Sequence, residues 1–477
     1  MKQVFTLLIG FAMHGWIFAQ PITQHPENSN YFIYKGKPTV LVTSAEHYGA
    51  VINPDFDFEL YLNTLEKIGL NHTRIFLGDY VENEGAFCIA TNTLAPVGSR
   101  FLAPWARSSQ KGYVLGGKKF DLEKWDDAYF SRLHQLMELA QEKGIVVEAV
   151  LFFSGYLFEN SPLHPQNNIN GTTAIPSNQY MTLTNGNILR YQEEYTKKLV
   201  EELNGYDNLI INVANEPWFG NQQHKGFASP PPPATKAWIQ LVSEWITETE
   251  KNLENKHLIS LDYTNQGEFI PEEELNGYFR NITVFNHHYD KDCESLMHNY
   301  NRGRIMSFNE TGIMPPQSPQ YRIQGWKYML SGGALYNNLD FTFQVGQEDG
   351  SGSSTFCEWY QGSSNPDIKY ELANLLKFMN ELDFIHMKPD TNKVNFLFGH
   401  QQLFVFSGDQ QTVVYFTGGG LPKLGLDLEN GQYNVQWINP ADLKILESNE
   451  LTIDKGRERL SGPEFKEDMI LKLVKTK

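Results

Sequence analysis

Cysteine is scarce in this chain: three in 477 residues, at Cys88, Cys293 and Cys357. The odd number and wide spacing exclude a zinc-ligand pattern and argue against a disulfide framework. A chain of this length buries enough core to stand without bridges. Positive charge is also in deficit, with 39 Lys and Arg against 56 Asp and Glu, a formal net charge of −17. That excludes a broad phosphate-binding face, so neither nucleic acid nor an anionic membrane is an expected partner. Beyond the first twenty residues no apolar run is long enough to cross a bilayer, and there is no internal repeat and no charged tail.

The N-terminus is the exception. Lys2 gives a short positive start, residues 4–18 are mainly apolar, and Ala19 precedes Gln20. Residues 1–19 therefore read as a secretory signal peptide, and an exported bacterial protein is expected, periplasmic or secreted.

What remains divides into two patterns. Short apolar runs recur at 39–43, 70–77, 145–153, 208–214, 257–262, 282–287, 304–308 and 334–339, with helical spacing between most of them. Asn53-Pro54 reads as a helix start, Phe58, Leu62, Leu65 and Ile68 follow helical spacing, and Gly69 ends the segment. Further helices are expected at 125–143, 187–204, 235–255 and 367–383. Eight strand–helix units predict a (β/α)8 TIM barrel over residues 20–386. Loops entering the strands are short, whereas 78–124, 154–186 and 340–366, which follow the second, third and eighth strands, are long. They and the fourth loop carry Trp105, Tyr113, Tyr156, Trp218, Phe219 and Trp359. In such a barrel the loops after the strands build the catalytic face. From 387 to 477 short strands separated by "SGDQQ", "TGGGLPK" and "LENGQ" predict a small all-β sandwich domain.

Two carboxylates stand at strand tips. Glu216 follows the fourth strand in "NVANEPW", and Glu310 follows the seventh in "SFNETG". In a closed barrel those tips face each other across the mouth. A carboxyl pair there can protonate a glycosidic oxygen and attack the anomeric carbon, provided their environments separate their pKa values. His287 and His288 alternate to opposite faces of a strand, so with Asp290 and Asp292 they make no expected metal site. Glu148 sits mid-strand and reads as a barrel-interior partner for Arg or Lys. No cofactor is expected.

"NEP" after strand 4 with a Glu after strand 7 resembles the clan A glycoside hydrolases, the retaining (β/α)8 enzymes. "NHTRIF" and "FNHHYD" extend the resemblance to strands 2 and 6, across roughly residues 31–383. The resemblance implies that Glu216 is the general acid/base and Glu310 the nucleophile. It implies that Arg74 binds the nucleophile, that Asn215 reads the sugar 2-hydroxyl, and that His287 and Tyr289 support the site. Trp218 becomes a candidate wall. Strand 8 departs from the cellulase-like members: "GGALYNNLDF" offers Tyr336 and Asn337 where a tryptophan platform is usual. Strand 1, "TSAEHYGAV", offers Glu46 and His47. These features and the C-terminal "LDLENGQYNVQWINP" are similar to apiosidase-like bacterial proteins, whose barrel precedes a β-sandwich labelled collagen-binding.

The expected function is an exported retaining glycoside hydrolase acting on β-linked polysaccharide or oligosaccharide. Two alternatives use the same chain differently: a carbohydrate-binding scaffold without turnover, and a transglycosylase sharing every residue.

Overall fold

The computed structural model describes residues 20–218, 230–264, 268–290, 292–311, 319–352 and 367–477. The expected signal peptide, Phe219, Trp359 and Cys357 lie outside them. Eight parallel strands form one sheet: β1 (Leu41–Ser44), β2 (His72–Phe76), β3 (Val146–Phe153), β4 (Leu209–Asn215), β5 (Leu258–Thr264), β6 (Val284–His288), β7 (Ile305–Glu310) and β8 (Leu335–Asn338). The order is β1-β8-β7-β6-β5-β4-β3-β2, the sequence of a barrel unrolled between β1 and β2. Each of the eight expected strands is present. Their residues are buried throughout, because one face meets the barrel interior and the other meets helices.

The helices are α1 (Phe58–Ile68), α2 (Asp127–Glu142), α3 (Ile188–Leu203), α4 (Pro233–Glu250), α5 (Glu272–Asn276), α6 (Glu294–Asn299), α7 (Gln320–Leu330) and α8 (Ile368–Asn380). α1 starts later than Asn53-Pro54 implied. Its cap is Asp57, whose carboxylate accepts the Leu60 N–H at 3.0 Å. Asn53 instead donates to the Thr93 carbonyl and ties two loops together. The long loop after β2 contains a hairpin, Trp105–Lys111 with Lys118–Trp125, whose charged strands give no apolar signal in the sequence.

The seam between β1 and β2 is closed by a side chain. Asn71 accepts from the Val42 N–H at 2.9 Å and donates to the Val40 carbonyl at 2.8 Å. One amide thus stands in for two ladder bonds.

The C-terminal strands are β9 (Lys388–Pro389), β10 (Val394–Phe398), β11 (Gln402–Ser407), β12 (Gln411–Thr417), β13 (Lys423–Asp427), β14 (Gly431–Ile438), β15 (Ile445–Ile453), β16 (Arg457–Ser461) and β17 (Asp468–Lys475). A six-stranded sheet, β9-β11-β12-β17-β14-β15, faces a three-stranded one, β10-β13-β16. Val414, Phe416, Leu424, Leu426, Trp437 and Leu471 fill the space between. β15 and β16 escaped the sequence reading because they are exposed and polar, so alternation gives no signal. Buried Arg322 of α7 pins the sandwich to the barrel: Nη2 and Nε reach the Asp468 carboxylate at 2.7 and 3.0 Å, and Nη1 reaches Glu371 at 2.8 Å. Trp326 stacks on Tyr415 beside it. Cys88 is disulfide-bonded and Cys293 is free and buried.

Asn71→Ala should open the β1–β2 seam and cost about 1–2 kcal/mol, the price of two backbone groups left without partners. Urea unfolding compared with Asn71→Asp, which keeps the acceptor but loses the donor, reads how the two bonds share that loss.

Candidate active site

The barrel interior is polar at its upper end. Strand alternation brings Arg74, Glu148, Asn212, Asp262, Asn286 and Asn309 into one buried network. Arg74 is its centre. Nη1 donates to Glu310 Oε2 at 3.1 Å, and Nη2 donates to Asp262 Oδ2 and Asn215 Oδ1, each at 2.7 Å. Nε lies 3.8 Å from Glu148, the interior cation expected for that carboxylate. Asn212, Ser260, Asn286 and Asn309 all donate to Glu148 as well. The guanidinium also lies 4.7 Å from the Tyr48 ring centroid. Burial opposes the Arg74 charge, but Asp262, Glu148 and Glu310 outweigh it, so Arg74 stays cationic. Asp262 is in turn held well below the ordinary carboxylate range, because Arg74 and His288 overcome its burial.

Above this network stand the two carboxylates. β4 ends at Asn215, and Glu216 takes a left-handed backbone, φ 48°, just before Pro217. A non-glycine residue held there costs about 1–3 kcal/mol. Glu310 ends β7, and His288 pairs with it in register from β6. One oxygen of Glu216 and one of Glu310 lie within 4.8 Å of each other, with His288 Nδ1 between them. That nitrogen is 2.9 Å from Glu216 Oε1 and 3.7 Å from Glu310 Oε1, while Nε2 is 3.2 Å from Asp262 Oδ2. Burial disfavours the imidazolium, but Glu310, Asp262 and Glu216 together lift His288 to about 10. Tyr289, also left-handed at φ 55°, donates its hydroxyl to Glu310 Oε1 at 2.6 Å. Burial raises the Glu216 pKa; the His288 hydrogen bond pulls it down and the Glu310 charge pushes it up.

The expected residues fall into three groups. Glu216, Glu310, Arg74, Asn215 and Tyr289 converge as described, and the Trp218 ring meets His288 edge-on at 5.5 Å. His47 stands beside them. Its Nε2 is 3.2 Å from Glu82, its ring packs on Tyr48 and Phe341, and Glu82 and Glu310 help to raise its pKa against burial. Three expectations are corrected. His287 lies on the other face of β6, buried, where desolvation lowers its pKa to about 3. His288 occupies the site instead, since Asn286 and His288 share the interior face. Tyr336 turns outward: its hydroxyl bonds the Tyr321 carbonyl at 2.8 Å and its ring packs on Phe308. Asn337 bonds the Asn309 carbonyl and accepts from the Ala45 N–H, so it joins β7 to β1. Glu46 is a loop anchor, accepting from Gly49, Ala50 and Thr93, with its pKa raised by burial to about 7. Asp262 was missed, although it stands at the tip of the fifth apolar run.

A cavity of about 500 Å³ opens among the loops after β1 and β2, lined by residues that include Asn53, Glu82, Glu84, Asn92, Val97 and Leu115. Neither Glu216 nor Glu310 lines it, and Glu82 is the wall it shares with His47. Among the described residues, Glu216, His288 and Glu310 are the donor set that could hold a metal ion. They are the same three groups, so a metal would occupy the site and not a separate centre. No described helix is long and apolar enough to cross a membrane.

No protein-family model matches this chain, and no curated protein matches its sequence. Solved structures do match its fold. A glycoside hydrolase superposes with a TM-score of 0.63 at 11% identity, covering 96% of this chain and 97% of the other. A glycoside hydrolase family 5 protein from Bacteroides vulgatus gives a TM-score of 0.61 at 12% identity, covering 95% and 93%. What this chain shares with them is the fold, a (β/α)8 barrel followed by a β-sandwich. Barrel and sandwich are both included in that likeness, since the alignments run over nearly the whole chain.

Removing the guanidinium should strand three carboxylates in the interior. Arg74→Met is expected to lose about 3–5 kcal/mol at pH 7, measured as the urea midpoint. The depressed pKa of Asp262 stabilises the wild type fully above the ordinary Asp range, and that contribution drains away as pH falls from there toward the lower pKa of the folded state. The gap between variant and wild type should therefore narrow below about pH 4.

Proposed function

We propose that this protein is a retaining glycoside hydrolase, with Glu216 as general acid/base and Glu310 as nucleophile. The approach of Glu216 to Glu310, within 4.8 Å, carries the reading. Retaining enzymes hold their carboxyl groups about 5–5.5 Å apart, whereas inverting enzymes leave room for a water between them. Glu310 accepts hydrogen bonds from Arg74 and Tyr289, one on each carboxylate oxygen, which fix its orientation for attack. Asn215 gives its carbonyl oxygen to Arg74, which leaves its amide N–H groups to face a sugar hydroxyl.

The charges fit a double displacement. In the first step Glu310 attacks the anomeric carbon, Glu216 gives its proton to the departing oxygen, and the glycosidic bond breaks. Glu310 becomes an ester and loses its charge. The repulsion that helped to raise the Glu216 pKa then disappears, while the His288 hydrogen bond that lowers it remains. Glu216 is thereby suited to take a proton from water in the second step. Water attacks the anomeric carbon, the ester bond breaks, and Glu310 returns as carboxylate. A transglycosylase would differ only in the acceptor that replaces water.

We assign catalysis to residues 20–386 and the β domain to 387–477, with export directed by residues 1–19. One observation favours a second reading, a metal-assisted reaction. Asp262 stands behind His288 as carboxylates stand behind metal-binding histidines. Loss of turnover in EDTA, restored by a divalent ion, would move the assignment to that reading.

Aryl β-galactoside, glucoside, mannoside, xyloside and arabinofuranoside are the first substrates to screen, with anomeric retention read by NMR. On the active substrate, Glu310→Ala should lose at least about 10³-fold in kcat and regain turnover with azide. Full activity in that variant would sink the proposal. His288→Asn removes both the hydrogen bond and the charge that lower the Glu216 pKa. The alkaline limb of its kcat/KM profile should shift to higher pH, since the acid stays protonated further; a downward shift would contradict the assigned coupling.

A further inference from the structure

The outer face of the three-stranded sheet β10-β13-β16 carries two solvent-exposed aromatic rings. Phe396 is 37% exposed and Phe398 is 68% exposed. They stand two residues apart on β10, about 6.8 Å along the strand, while Leu397 between them packs into the sandwich core. Phe396 pairs across the sheet with Gly425 of β13. A Cβ at Gly425 would come within 2.5 Å of the Phe396 ring. The absent side chain lets that ring lie down along the sheet and not stand off it.

The polar groups of this face are mostly cationic. Arg459 of β16 lies 5.3 Å from the Phe396 ring centroid, and Lys423 of β13 lies 5.8 Å from that of Phe398. Arg457 pairs with Asp427 at 2.9 Å, and Asn395 donates to the same carboxylate. Among the described residues no carboxylate lies within ion-pair distance of Arg459 or Lys423. A cationic aromatic strip is unusual on a chain whose formal charge is −17.

We infer that this face, on the C-terminal β domain and not on the barrel, is a second carbohydrate-binding surface, and that its occupant is a uronate-bearing polysaccharide chain. The apolar faces of pyranose rings lie on Phe396 and Phe398, as apolar surface lies on an aromatic face. Carboxylates along the chain meet Arg459 and Lys423, and arginine offers them a planar fork of donors. The pairing of Arg457 with Asp427 is the same chemistry already present within the face. The binding uses no step of the proposed reaction, so it stands or falls separately from it.

Affinity electrophoresis of the full chain in gels containing polygalacturonate tests this. The wild type should be retarded, with retardation lost near 1 M salt, where screening falls to about 3 Å. Phe396→Ala/Phe398→Ala and Arg459→Glu should each weaken binding at least about tenfold, at unchanged melting temperature and unchanged turnover of a small aryl glycoside. Neutral glucomannan should retard neither. Lack of retardation of the wild type, or equal retardation of the variants, would overturn the inference. So would equal retardation by glucomannan, or capture by type I collagen through this face with polygalacturonate ignored. A dimer that becomes monomeric in the double variant would assign the face to a second copy of this chain instead.

Discussion

Everything at the barrel mouth depends on one buried cation. Arg74 has no exposed surface and touches Glu310, Asp262, Asn215 and, at longer range, Glu148. Four acidic or amide groups from four strands would repel or scatter without it. With it, they are held at bonding distance by a planar group that cannot lose its proton. The asparagines that surround Glu148 and Asp262 supply the remaining hydrogen bonds, so the low dielectric of the interior strengthens the network.

His288 is the second organiser, and it works because of what lies behind it. Asp262, itself kept ionised by Arg74, faces Nε2, while Glu216 and Glu310 share the Nδ1 side. One ring thereby links the electrostatics of the two carboxylates to the barrel core. The left-handed backbones at Glu216 and Tyr289 fit this picture. Strain at the tips of β4 and β6, on either side of β5, is borne where side chains must converge on one point, and the surrounding network over-determines their positions.

The barrel was legible because burial on both faces makes each strand a short apolar run with helical spacing between. The same logic failed where burial is one-sided or absent. β15 and β16 and the hairpin at Trp105–Lys111 and Lys118–Trp125 are strands by hydrogen bonding alone, and their sequences read as polar loop. At the site, Glu216 and Glu310 were visible as charges at the ends of apolar runs, and Arg74 through the resemblance of "NHTRIF". Tyr336 and Asn337 were equally visible, yet each spends its polar atoms on backbone carbonyls and amides of neighbouring elements. Strand-end position alone does not say which way a side chain points.

The sequence by itself determined the eight-strand count, the all-β region after it, and the two tips that carry the carboxylates. Those follow from periodicity, which is local. Only the tertiary structure decided between His287 and His288, brought Asp262 behind the imidazole, and set the carboxylates within 4.8 Å. The physical reason is that facing and distance depend on bulges, backbone handedness and the curvature of the closed sheet. Register shifts interrupt the β6–β7 pairing between Asn286 and His288 and the β5–β6 pairing between Asp262 and Thr264, so residue spacing does not say which partners stand opposite each other at these tips.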